Sequence, residues 1–272
     1  MVHLTSLHLH NIRCFPYEIF AICTSLTKVF LEGGCIVHAE YYDGRLEVHP
    51  HADEFEDVEG FEVGPRLREL TIENNQYFTK LLIRENCLIS LNQLQKLRLK
   101  LHDPGDVKRL ASMIPLFGEA LEELWLRLLL SFLKAVHFLH LVENFLHPEL
   151  FQNLRSFSMA LDETPLDLVA PAWIASFLAA LPNPQRFEEL GIELLLSFGG
   201  YFQYHQVNAQ DIGWRELDRI LGLDRFPWLS GVEVSLYEEL ANRRVPLSQD
   251  KADEFLEAVL PNSWANGIVS VA

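Results

Sequence analysis

A six-residue phrase, LxxLxL with other apolar residues admitted at the leucine sites, recurs eight times in this chain, starting at residues 4, 26, 67, 94, 121, 154, 187 and 229. The copies read LTSLHL, LTKVFL, LRELTI, LQKLRL, LEELWL, LRSFSM, FEELGI and LSGVEV. Recurrence at this density is the signature of stacked supersecondary units, each unable to bury its apolar side alone. Within a copy the alternation of apolar and polar residues predicts a short strand with every second side chain in a core. Most segments between copies carry apolar residues three and four apart, which predicts helices over Pro16–Cys23, Tyr77–Ile83, Asp106–Phe117, Ser131–Phe145, Ala172–Leu181 and Trp214–Leu221. Pro104, Pro171 and the Pro182-Asn183-Pro184 cluster punctuate them.

The expected fold is therefore an α/β solenoid, with parallel strands on a concave face and helices on a convex one. A doubly wound sheet shares the strand and helix alternation, but it has no reason to repeat LxxLxL, and it wants a glycine-rich turn after its first strand. Neither GxGxxG nor GxxxxGK[ST] occurs. Sixteen residues should line the core: Leu7, Leu9, Val29, Leu31, Leu70, Ile72, Leu97, Leu99, Leu124, Leu126, Phe157, Met159, Leu190, Ile192, Val232 and Val234. Nothing precedes LTSLHL to cover its edge, so the natural polypeptide is expected to extend beyond Met1.

Composition narrows the function. The net charge of -16 repels phosphate backbones and anionic lipid, so neither nucleic acid nor a membrane is an expected partner. Leu124–Leu146 is long enough to span a bilayer, but it contains Arg127, Lys134, His137, His140 and Glu143 and reads as strand plus amphipathic helix. Cys14, Cys23, Cys35 and Cys87 form no CxxC pair, no Asn-x-Ser/Thr sequon occurs, and the N-terminus has no signal-peptide pattern. A reducing compartment, cytoplasmic or nuclear, is expected.

The stretches LTSLHLHNIRCFPYEIFAICTSLTKVFLEGG, GPRLRELTIEN and ALEELWLRLLL resemble the irregular leucine-rich-repeat region of fungal F-box-type proteins, over residues 4 to 236. The resemblance implies a leucine-rich-repeat horseshoe; the expected organisation is a single such domain over 1–272, with an acidic insertion at 40–62 and a helical cap at 237–272. In that family the repeats select a client protein, and a preceding F-box module docks on a ubiquitin-ligase core. That module is missing here; FPYEIFAIC echoes its opening but runs straight into the repeat LTKVFL.

Residues 40 to 62 hold nine acidic groups and one base, half of the chain's net negative charge. They read as a solvated loop or small hairpin. A second break, Ser197–Asp211, is polar, aromatic and glycine-flexed, as binding loops often are. No HExxH, GxSxG, CxxC or EF-hand pattern is present, so no enzyme class stands out and no cofactor is expected. An α/β enzyme with a divergent site is the alternative from another class, and a free-standing repeat scaffold the alternative within binding proteins. His8 and His10 share a strand face, but the sequence shows no third ligand, so no metal is expected.

What remains is the concave face, and the expected partner is a protein client docked there. Its residues are the third, fifth and seventh of each repeat, and these are not uniform. Lys96, Arg98, Lys100 and Arg127 gather beside Trp125, with Phe30 further along, and Trp and Arg dominate binding hot spots. These six form the expected protein-binding set. The competing account is that the cations merely offset Glu69, Glu73 and Glu123 on neighbouring strands.

Overall fold

The structure is a computed structural model describing residues 3–15, 19–32, 36–37, 40–42, 45–47, 64–73, 82, 89–102, 104–129, 146–162, 169–196, 212–222, 224–240 and 243–271. The strands are β1 (Ser6–His10), β2 (Arg13–Phe15), β3 (Lys28–Glu32), β4 (Ile36–Val37), β5 (Glu40–Tyr42), β6 (Arg45–Glu47), β7 (Glu69–Ile72), β8 (Lys96–Leu101), β9 (Glu123–Leu129), β10 (Ser156–Asp162), β11 (Glu189–Leu196), β12 (Gly231–Leu240), β13 (Arg243–Pro246) and β14 (Val269–Val271). Among the described residues the helices are α1 (Ile19–Ile22), α2 (Pro104–Phe117), α3 (Val169–Ala180), α4 (Ile212–Leu221), α5 (Gln249–Val259) and α6 (Pro261–Ala265).

Every LxxLxL copy becomes a strand that begins two residues into the phrase. Those eight strands lie in one sheet in the order β1-β3-β7-β8-β9-β10-β11-β12, parallel and in register. Spatial order follows chain order with no reversal. A doubly wound sheet must reverse at its switch point, so the open parallel sheet here is solenoid-like instead.

One hydrogen-bond device repeats from coil to coil just before the strands. The Thr5 carbonyl accepts from the backbone N–H of both Thr27 and Lys28, at 2.9 and 3.1 Å. The carbonyls of Thr27, Arg68, Gln95, Glu122 and Arg155 each accept two N–H groups from the next coil in the same way. The last step runs from Ser230 to the Glu188 carbonyl, through its N–H at 2.8 Å and its hydroxyl at 3.0 Å. Polar groups that would be stranded at the turn are thereby satisfied by stacking itself.

Fifteen of the sixteen expected core residues are buried. Leu7, on the end strand β1, is half-buried because no described strand lies outside it. The helices close the core from the same side: in α3, Trp173 and Phe177 pack on Phe157 of β10, with ring centroids 5.9 and 4.7 Å away. The expected helices over 106–117, 172–181 and 214–221 are present with ends shifted by up to three residues, and of the first, expected over 16–23, Ile19–Ile22 is helix while 16–18 lie outside the described residues. Those over Tyr77–Ile83 and Ser131–Phe145 lie outside the described residues, save Leu82. No helix among the described residues is long and apolar enough to cross a membrane, and the described start of Leu124–Leu146 is strand β9.

In the expected acidic insertion, β5 and β6 pair as a small antiparallel hairpin; 48–62 and the loop 197–211 lie outside the described residues. The segment 237–272, expected to be a helical cap, starts and ends in strand. β12 runs on to Leu240 and turns back as β13, α5 and α6 follow, and β14 returns parallel to the start of β12. Asp218 of α4 ties this end down: its buried carboxylate accepts from the N–H and side-chain amide of Asn262 and from the N–H and hydroxyl of Ser263, at 2.7 to 3.1 Å. Cys23 is a buried thiol packed in the core.

Candidate functional site

Because strand side chains alternate, the third, fifth and seventh residues of each repeat share the face away from the core. The register makes three straight rows of them. The first runs Ser6, Lys28, Glu69, Lys96, Glu123, Ser156, Glu189, Gly231. It alternates in sign at its centre and is internally neutralised: Lys28 pairs with Glu69 at 2.5 Å, and the Lys96 ammonium donates to Glu123. That hydrogen bond, with the charges of Glu123 and Glu69 beside it, outweighs modest desolvation and raises the Lys96 pKa above its ordinary value.

The second row runs His8, Phe30, Thr71, Arg98, Trp125, Ser158, Gly191, Glu233. Phe30 is half-buried, its ring 5.5 Å from that of His8. Arg98 is exposed and sits directly across from Trp125. Trp125 is half-buried, and its indole N–H has no hydrogen-bond partner among the described residues. On its other side the face drops to small residues. Ser158 lies close over Gly191: a Cβ at 191 would come to 2.5 Å from the Ser158 hydroxyl and 3.0 Å from its Cβ, so any larger residue there must displace Ser158.

In the third row Lys100 stands beside Arg127, followed by Ala160, Glu193 and Ser235. Lys100 and Arg127 are both half-buried. Arg98 and Lys100 have no ion pair or hydrogen bond among the described residues, whereas Arg127 is engaged. The six expected residues thus fall on one face. Five stand on the adjacent strands β8 and β9, and Phe30 lies two strands away across Thr71.

Two contributors to this face were not expected from the sequence. Arg244 of β13 reaches back to form an ion pair with Glu193, and its guanidinium stacks over the Tyr237 ring at 3.9 Å to the centroid. Tyr237 could have been found, since it is two residues past Ser235 and keeps the alternation. Arg244 was missed because its position depends on the β12–β13 hairpin, for which Asn242 between the two strands is the one turn signal. At the opposite end Glu32 supplies a carboxylate to His8 at 3.0 Å and to His10 at 3.7 Å. Among the described residues no three metal-ligating side chains converge on one point.

No family model, curated protein or solved structure matches this chain.

Proposed function

We propose that the chain is a non-catalytic protein-recognition scaffold: a leucine-rich-repeat horseshoe serving as the client-binding region of an F-box-like ubiquitin-ligase adaptor in the cytoplasm or nucleus. The observation that carries the recognition role is the partly exposed face of the sheet at β8 and β9. Trp125 stands there beside Arg98 and Lys100, and among the described residues its indole N–H has no partner and neither cation has a counter-ion. Folding leaves these groups unused, and aromatic and Arg side chains in that state are the ordinary anchors of an interface. Phe30 and Arg127 extend the surface, while Lys96 is held by Glu123. The adaptor assignment rests on the repeat phrasing alone.

Affinity capture from native lysate with the wild type and Trp125→Ala in parallel tests this. Truncating an anchor removes about 2 kcal/mol or more of binding, so captured proteins should be lost while the melting temperature holds. Unchanged capture would refute the site. Recovery of ubiquitin-ligase core components with the wild type would support the adaptor assignment, and recovery of clients alone would favour a free-standing scaffold.

A further inference from the structure

The charges on the open face are sorted by strand. β8 and β9 carry Lys96, Arg98, Lys100 and Arg127 with Glu123 on the same face; Glu123 holds Lys96, and Arg127 is itself engaged, which leaves Arg98 and Lys100 without a counter-ion among the described residues. On one side β3 and β7 carry Glu32 and Glu69, with Glu73 just beyond β7, against Lys28. On the other side β10 carries Ser156, Ser158 and Ala160 and ends at Asp162, in register with Leu129, and then β11 and β12 bring Glu189, Glu193 and Glu233 against Arg244. With strands about 4.8 Å apart, the two cationic strands form a strip about 10 Å wide along the strand direction, and the flanking carboxylate-bearing strands β7 and β11 lie about 19 Å apart.

We propose that this strip binds one extended acidic segment of a partner protein, laid along β8 and β9, with Arg98 and Lys100 pairing its carboxylates and Trp125 packing against its apolar side chains. The inference deepens the recognition role proposed above and rests on it. Charge complementarity supports the choice of occupant: Arg98 and Lys100 have no counter-ion among the described residues and stand beside Trp125, so a segment carrying both carboxylates and apolar side chains satisfies both. A broad acidic surface or a nucleic-acid duplex reaching past β8 and β9 would also set anionic groups against Glu73 on one side and Glu189 on the other. Lys96 contributes little, since its ammonium is already engaged by Glu123.

The test is fluorescence anisotropy of the full chain with a labelled peptide of alternating glutamate and leucine, its glutamine counterpart and a labelled DNA duplex, at low and high salt. The wild type should bind the glutamate peptide more tightly than the glutamine one and lose that preference as salt rises. Reversing both cations, Arg98→Glu with Lys100→Glu, should weaken binding by about tenfold or more, and the milder Arg98→Ala with Lys100→Ala by a smaller factor. Lys108→Glu, an exposed reversal on helix α2, controls for net charge and should leave affinity within about twofold. Equal binding of the glutamine peptide, tighter binding of the duplex, or equal loss with Lys108→Glu would each overturn the proposal. If lysate partners are lost with Trp125→Ala but kept by both double variants, the recognition role stands and the acidic occupant falls.

Discussion

Replacing Asp218 with alanine should loosen the C-terminal end of the solenoid before anything else. The carboxylate is 3% exposed and accepts four hydrogen bonds. Asn262 is exposed, so water can take over its N–H and amide. Ser263 is fully buried, and its N–H and hydroxyl would lose their acceptor with nothing to replace it. At about 1–3 kcal/mol for each stranded donor, Asp218→Ala is expected to lose roughly 2–6 kcal/mol, against about 5–15 for a whole domain. Asp218→Asn keeps one acceptor oxygen and should lose less. Adding Ser263→Ala removes one stranded donor, so the double variant should be about 1 kcal/mol more stable than the sum of the single effects. Denaturant unfolding gives these differences, and hydrogen exchange locates them. The Val232 N–H, bonded to the Ile268 carbonyl at 2.8 Å, should lose protection while strands β7 to β9 keep theirs. A loss below about 1 kcal/mol with Val232 still protected would refute the reasoning.

Leu126 is fully buried in β9, and Leu126→Ala should destabilise by about 2–5 kcal/mol in the same unfolding assay. Gly118→Ala would bring a Cβ to 2.8 Å from the Leu150 carbonyl oxygen and 3.0 Å from that of Ile114, both backbone atoms, and should lose about 1–3 kcal/mol. Gly222→Ala, whose nearest atom is 3.4 Å away, is the matched control and should melt near the wild type. Lys96 should titrate above the ordinary lysine value of 10.5, and Glu123→Gln should bring it back down, as followed by NMR of its ε-carbon. Because that pKa is raised on folding, the associated stabilisation is complete below the unfolded value and fades as pH rises through the folded one.

The repeat strands were legible because one constraint, an apolar residue at every second position facing a shared core, is written eight times over. The same alternation placed Arg98, Lys100, Trp125 and Arg127 on one face without any knowledge of the helices. What it could not supply was which cation is already engaged. Lys96 and Arg98 look alike in KLRLK, yet only the register puts Glu123 beside Lys96 and Trp125 beside Arg98. Nor does the pattern extend past Val234, where the hairpin and β14 replace the repeat. Asp218 reads in sequence as one more polar residue of an amphipathic helix, and its burial depends on α6, which packs there from 44 residues further on.

The far edge of the sheet also bears on solubility. β13 and β14 occupy the same side of β12, the first antiparallel to it and the second parallel. A foreign strand arriving there would have to satisfy two opposite hydrogen-bonding registers at once. It would also meet Pro246, which has no N–H to offer. An eight-strand parallel ladder is a ready template for pairing between molecules, and this split terminus leaves no single strand of one direction for a foreign strand to extend along β12.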